Sequence, residues 1–347
     1  MTEMLTPPEA QRDSETRLLT RAETAEWLKT YDNYLILCHA HPDGDTLGAG
    51  IGLQKILTML GKTAFVICAS GIPDRLAFIA GERSEMLLEQ VPADFLWDKV
   101  ISVDIASPQL MGSYAMPFGE PGHVDLAIDH HGTHTLFAKA ALVDPDMAAC
   151  AEIIFDIGQL LFGWLEEEGH RMPEDVAAVL YAGLNTDSGS FKYSAVTPAT
   201  HHRAAVLLAS GVDHARITGR LYGSRPMQEV LAAKAAYEDL RFFCDNRVSL
   251  VTFTEETMQR YHLKDDDIDD VVNMIRSIKG VKAAIHLKPR GENCYKLSLR
   301  SEPGTNVAEV CAKFGGGGHP CAAGCNITAE TPAEAEKMIL DAIREVI

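Results

Sequence analysis

The run His39-Ala-His41-Pro42-Asp43-Gly44-Asp45-Thr46-Leu47-Gly48 sets imidazole and carboxylate groups directly after an apolar stretch, NYLILCHA. Hydrophilic groups at the carboxyl end of a buried strand mark the usual ligand position in α/β sheets. Asp-Gly-Asp is equally good turn and helix N-cap chemistry, so this run taken alone supports a turn as well as a site. Three more element ends shift the balance. Val103-Asp104-Ile105-Ala106-Ser107 and Ile128-Asp129-His130-His131-Gly132 each end an apolar run, and Leu184-Asn185-Thr186-Asp187-Ser188 closes a helical one. Carboxylates converging on one rim repel each other unless cations neutralise them, and mixed imidazole and carboxylate donors suit manganese or iron better than calcium. The chemistry implied is hydrolysis at a two-metal site.

Positioning these groups requires parallel strands. NYLILCHA, KTAFVICA, KVISVDIA and VDLAIDHH are short, rich in Val and Ile, and bounded by Gly, Pro or Asp, as buried parallel strands are. Helical patterns cover Thr16–Lys29, Gly48–Leu60, Ala149–Glu168, Glu174–Asn185 and Pro198–Ser210. The alternation predicts a doubly wound α/β domain over residues 16–210, after a polar, Pro-containing and flexible N-terminus at 1–15. Residues 211–239 read as a helical linker. Residues 240–347 then form a smaller α/β domain: VSLVTFT, a helix near Asp269–Ile278, KAAIHLK, YKLSLRS, a helix near Val307–Phe314, a Gly-rich loop and a last helix at Pro332–Val346.

Composition narrows the partners. The 347 residues carry 31 Lys plus Arg against 49 Asp plus Glu, a net charge of −18, so no broad basic face exists to grip long duplex nucleic acid. A small anionic substrate stays compatible, because divalent ions and a few local Arg or Lys reverse the potential inside one site. The eight cysteines lack paired zinc-ligand spacing, and no signal peptide or long apolar run is present. Cytoplasmic residence with reduced thiols, and no membrane association, is the expectation.

The four acidic motifs together resemble the DHH phosphoesterase family. Its His-x-x-x-Asp-x-Asp motif is met by His39, Asp43 and Asp45, its second Asp by Asp104, its Asp-His-His by Asp129, His130 and His131, and its last Asp by Asp187. His41 falls at a variable position and reads as a neighbour. The resemblance implies that His39 and Asp43 hold one metal, that Asp45, His130 and Asp187 hold the other, and that Asp104 bridges them. It implies two Mn2+ ions, with Mg2+ or Co2+ as substitutes, and catalytic support from Asp129 as an orienter of the site and His131 near the phosphate or the metal-bound water. Such a metal pair makes water nucleophilic at neutral pH, so no covalent nucleophile is required.

Toward the C-terminus, Leu297-Ser298-Leu299-Arg300-Ser301 precedes Phe314-Gly315-Gly316-Gly317-Gly318-His319. Four consecutive glycines raise the entropic cost of order, and close approach of the backbone to a ligand would explain them. This pairing resembles the DHH-associated C-terminal domain, which implies substrate binding by Arg300, Ser301, Gly316, Gly317, Gly318 and His319, with a guanidinium and backbone N–H groups on a phosphate. The implied fold is a parallel-sheet catalytic domain plus a smaller substrate-binding α/β domain, with the active site in the cleft between them.

Within the family, the chain is most similar to the nanoRNase and pAp phosphatase group. Asp187-Ser188-Gly189-Ser190-Phe191-Lys192-Tyr193 matches that group's Asp-Thr-Gly-Ser-Phe-Arg-Tyr with two substitutions, and Asp146-Met-Ala-Ala-Cys-Ala-Glu152 carries Ala and Cys where relatives often have Ser or Thr. The implied substrates are very short oligoribonucleotides or 3′-phosphoadenosine 5′-phosphate (pAp). A phosphodiesterase of linear or cyclic dinucleotides uses the same residues, and a non-catalytic nucleotide-binding protein is a third reading that six intact ligands disfavour. A homodimer is compatible with the sequence.

Overall fold

The computed structural model describes residues 16–81, 86–164, 171–223 and 225–347. The flexible N-terminus expected at 1–15 lies outside them. Contacts divide the chain into two units, one ending at Ser224 and one beginning at Arg225.

The first unit is built on β1 (Arg17–Leu18), β2 (Tyr34–Leu37), β3 (Ala64–Ile67), β4 (Lys99–Val103), β5 (Leu126–Asp129) and β6 (Ala140–Val143). These six strands form one sheet in the order β1-β6-β5-β4-β2-β3, and every pairing is parallel. Its helices are α1 (Arg21–Thr30), α2 (Gly44–Met59), α3 (Ala77–Ala80), α4 (Ala115–Phe118), α5 (Cys150–Phe162), α6 (Glu174–Asp187), α7 (Pro198–Ala209) and α8 (His214–Tyr222). Tyr34 and Ile36 of β2 pack into one core with α2, α5 and α6, whereas Leu35 and Leu37 enter a second core with Met111, Tyr114 and Phe118. Both faces are covered, which is why these strands read as unbroken apolar runs rather than alternating ones.

Two strands of this first sheet escaped the sequence pattern. β1 is only two residues long and precedes Thr20, whose side chain caps α1 in a capping box with Glu23, so the helical reading from Thr16 began one element too early. β6 is short and half alanine, too weak in β propensity to stand out. Conversely, α2 begins at Gly44, a turn before the expected Gly48, because Asp43 caps it.

A partly buried ionic network ties α1, α5 and α7 together, with Arg21 Nε 2.9 Å from Asp156 Oδ2. Arg203 makes bidentate bonds to Asp156 at 2.8 and 2.7 Å and reaches Glu152 at 3.4 Å, while Arg21 donates to Asp144 at 2.6 Å. The Glu152 side chain is only 1% exposed. Removing one partner of such a network strands a buried charge, so Arg203→Ala is expected to cost about 3–5 kcal/mol. Denaturant melts of the variant check this, and adding Glu152→Gln is expected to recover part of the loss.

The second unit contains α9 (Met227–Asp239), β7 (Arg241–Phe243), β8 (Val248–Thr252), α10 (Glu255–Tyr261), α11 (Val271–Arg276), β9 (Ala283–Pro289), β10 (Cys294–Ser301), α12 (Val307–Ala312), β11 (Gly317–His319), β12 (Ala322–Thr328) and α13 (Pro332–Ile343). Its sheet runs β11-β12-β10-β9-β8-β7, antiparallel except for β8 with β9. The stretch 211–239 is helical, and its two helices belong to different units: α8 packs on α6, and α9 packs on β8 and α11. Among the described residues, no helix is long and apolar enough to cross a membrane. All eight cysteines are free thiols.

Candidate functional site

Three parallel strands and two helix ends deliver the acidic and imidazole groups to one rim of the first sheet. His39 follows β2, Asp104 follows β4, His130 and His131 follow β5, Asp43 and Asp45 open α2, and Asp187 closes α6. Asp43 serves both purposes that its sequence allowed. Its Oδ1 accepts from the backbone N–H of Asp45 at 2.9 Å and of Thr46 at 3.0 Å, and it lies 3.6 Å from His39 Nε2. Asp104 sits in the left-handed region, at φ 57°, a conformation that Asp tolerates better than most residues and that turns its side chain off the strand line.

Helix packing brings the two helix ends together. A Cβ on Gly48 of α2 would come within 2.6 Å of Val179 O of α6, and one on Gly183 of α6 would meet Ala151 Cβ and Asp45 Oδ1 at 2.9 Å each. Glycine at these contacts lets the backbones approach until Asp43, Asp45 and Asp187 share one space. Gly183→Ala is expected to cost about 1–3 kcal/mol through overpacking, despite alanine's better helix propensity, and to weaken divalent-ion binding by displacing Asp45. Urea midpoints and a Mn2+ titration measure the two effects.

Asp45 is fully buried, and its carboxylate accepts from the backbone N–H groups of Cys150 at 2.6 Å and Ala151 at 3.0 Å, in the first turn of α5. Backbone donors at a positive helix end hold Asp45, so this clamp does not depend on hydroxyl side chains at 149–151.

The donor atoms form three overlapping groups, His39–Asp43–Asp104, Asp45–His130–Asp187 and Asp104–Asp129–His130–His131, each with its atoms within 4.8 Å of one another. Asp104 and His130 join them, each belonging to two of the three: one Asp104 oxygen is 3.7 Å from His39 Nε2, and the other is 3.5 Å from His130 Nε2 and 3.6 Å from His131 Nδ1. His130 Nε2 is also 3.2 Å from Asp187 Oδ2, and its Nδ1 is anchored by Met147 O at 3.1 Å. That anchor leaves Nε2 facing the carboxylates. Asp129 stands behind, fully buried, accepting from the His130 N–H and bonding His131 Nδ1, each at 2.8 Å. His41 is exposed and outside all three groups.

The electrostatics are those of a cation cradle. Burial, reinforced by the charges of Asp104 and Asp187, pushes the Asp45 carboxyl far above the ordinary range. Burial likewise pushes Asp187 up to about 6. Burial opposes charge on His130, but Asp104, Asp45 and Asp187 outweigh it and push the imidazole up to about 10. Asp104 Oδ1 and His130 Nε2 are buried without a hydrogen-bond partner. Buried polar atoms left unpaired, amid carboxylates that burial disfavours in their charged form, fit divalent ions as the missing partners.

In the second unit, β12 separates Arg300 on β10 from His319 on β11, and both pair with Ala322. Arg300 Nη1 donates to Leu299 O at 2.9 Å. Ser301 is buried, and its hydroxyl donates to Thr305 O at 2.6 Å, so it holds the loop before α12. The glycine run is in part a packing device, contrary to the expectation from entropy alone. A Cβ on Gly316 would lie 2.5 Å from Cys325 Cβ, and one on Gly318 would lie 2.7 Å from Ala323 Cα, whereas Gly317 meets nothing within 4 Å. What reads as a Gly-rich loop is an edge strand pressed onto β12, a strand of small residues that the sequence pattern also missed.

Residues 33–184 match the N-terminal domain of the DHH family, and residues 250–347 match the DHHA1 domain. A protein of Thermus thermophilus named bifunctional oligoribonuclease and PAP phosphatase NrnA is 31% identical over 328 residues, covering 92% of each chain. The chain belongs to the DHH family. Another relative of this DHH chain, the cyclic-di-AMP phosphodiesterase GdpP of Geobacillus thermodenitrificans, is 24% identical over 98% of this chain and 51% of its own length. An exopolyphosphatase-related protein from Bacteroides fragilis shares the DHH fold with a TM-score of 0.81 at 22% identity, covering 94% of this chain and 95% of that one.

Proposed function

We propose that this DHH protein hydrolyses short nucleotide phosphoesters, releasing mononucleotides from very short oligoribonucleotides and phosphate from pAp. The observation that carries the reading is the pair of carboxylate–imidazole groups joined through Asp104, with two of their buried atoms left without a partner. The name of the Thermus thermophilus relative supports the substrate class.

In this reading His39 and Asp43 hold one divalent ion, Asp45, His130 and Asp187 hold the other, and Asp104 serves both. Bound there, such ions supply Lewis acidity toward a phosphoryl oxygen and make water nucleophilic at neutral pH. Asp129 is a positioning residue, fixing the His131 ring through Nδ1 so that its other nitrogen is free to donate to the phosphate. Met147 O fixes His130 in the same way. Arg300 and the backbone of Gly316, Gly317 and Gly318, together with His319, bind the nucleotide's phosphate, and Ser301 keeps their loop in shape. Mixed imidazole and carboxylate donors favour Mn2+ over Mg2+.

A second reading, a phosphodiesterase of linear or cyclic dinucleotides, is favoured by the 24% identity to GdpP across 98% of the chain. One experiment separates them: turnover of pAp, pApA, longer oligoribonucleotides and cyclic di-AMP with Mn2+, Mg2+ or Co2+. The proposal expects the highest kcat/KM on pAp and the shortest oligomers, with Mn2+ the best ion. Fastest turnover of the cyclic dinucleotide replaces the first reading with the second, and no turnover of any substrate removes both.

A further inference from the structure

Beside Asp43 and Asp187 opens a cavity of about 200 Å3 whose wall includes Arg75, Thr186, Leu221 and Tyr222. Arg75 comes from a single 3-10 turn, Asp74–Leu76, and Tyr222 is the last residue of α8. The two walls are clasped together, since the Arg220 guanidinium lies 5.3 Å from the centre of the Phe78 ring. The Tyr222 hydroxyl donates to Asn185 O at 3.0 Å, two residues before Asp187. Its ring is thus fixed against α6 while the residue stays 45% exposed.

Arg75 is exposed and, among the described residues, makes no hydrogen bond or ion pair. A cation at the lip of a carboxylate–imidazole cluster that fits divalent ions is placed to receive an anionic ligand of that same site. A guanidinium forks onto a phosphate, and a half-exposed phenol ring offers a face to a base or ribose.

We propose that Arg75 and Tyr222 form a specificity subsite for the part of the substrate flanking the scissile phosphate. Arg75 receives a second, non-scissile phosphate, and Tyr222 stacks on the nucleoside that carries it. The inference rests on the phosphoester-hydrolase reading above and adds to it a requirement for a second phosphate.

The test compares wild type, Arg75→Ala, Arg75→Lys, Tyr222→Leu and Tyr222→Phe with Mn2+ on pAp and pApA, which offer a second phosphate, and on bis(p-nitrophenyl) phosphate, which does not. Arg75→Ala is expected to lower kcat/KM on pAp and pApA about 10–100-fold, mainly through KM, and to leave bis(p-nitrophenyl) phosphate within about threefold. Arg75→Lys is expected to restore part of the loss. Tyr222→Leu is expected to cost about tenfold on the nucleotides alone, whereas Tyr222→Phe, which keeps the ring, stays near wild type. Equal losses on all three substrates would mean that these residues merely shape the metal site, and would overturn the subsite. So would an Arg75→Ala enzyme matching wild type on pAp and pApA. If the wild type turns over neither pAp nor pApA, the nucleotide reading itself fails, and the subsite falls with it.

Discussion

Replacing Asp104 with Ala is expected to lower kcat by on the order of 1000-fold or more and to remove bound Mn2+, while the metal-free protein stays as stable as wild type or becomes more so. Its two carboxylate oxygens face different partners, one His39 and the other His130 and His131, so no other side chain in the cluster can substitute for it. Burial and the neighbouring Asp43 charge push the Asp104 carboxyl above its ordinary range, which means that the folded chain tolerates this charge poorly when no cation is bound. Strain of this kind is maintained for function rather than stability. Metal content by elemental analysis, thermal melts in chelator and single-substrate kinetics measure the three parts. A variant with wild-type metal content and kcat within tenfold would rule out Asp104 as the shared ligand.

Chelation is expected to abolish turnover and to lower the thermal midpoint by several degrees. An ion present at 100 times its dissociation constant stabilises the folded state by about 2.7 kcal/mol, and chelator withdraws that contribution. The pH dependence of the metal-free chain has a definite sign. Asp187, which burial pushes up to about 6, and His130, pushed up to about 10 by carboxylates that outweigh burial, both hold their protons more tightly folded than unfolded. Their contributions are complete below the unfolded pKa values and are lost as pH rises through about 6 and then toward about 10. Metal-free melts should therefore fall with rising pH across that window, and added Mn2+ should restore more stability at the alkaline end, where the donors have lost their protons. Melting curves at pH 5, 7 and 9 with chelator or Mn2+ check this, and a metal-free midpoint that rises across that range contradicts it.

The sequence by itself determined the strand-end chemistry. Four unbroken apolar runs that stop at His39, Asp104 and Asp129-His130-His131, or lead into the next strand, declare a parallel sheet with polar groups at one edge, because buried strands leave their ends as the place for charge. Motif spacing likewise supplied the family. Short or small-residue strands were invisible for the opposite reason: β1, β6, β11 and β12 owe their strand state to neighbours, not to their own propensity.

Tertiary structure alone decided how the carboxylates are held. Asp45 is clamped by N–H groups about a hundred residues away in sequence, from Cys150 and Ala151, and every residue carries such a donor, so no pattern of side-chain types announces it. The close approach of α2 to α6 at Gly48 and Gly183, the packing demand on Gly316 and Gly318, and the unpaired charge of Arg75 are likewise properties of what lies opposite each residue. Chemistry that resides in side-chain type is legible along the chain, whereas chemistry that depends on backbone groups and empty space exists only once distant segments have packed.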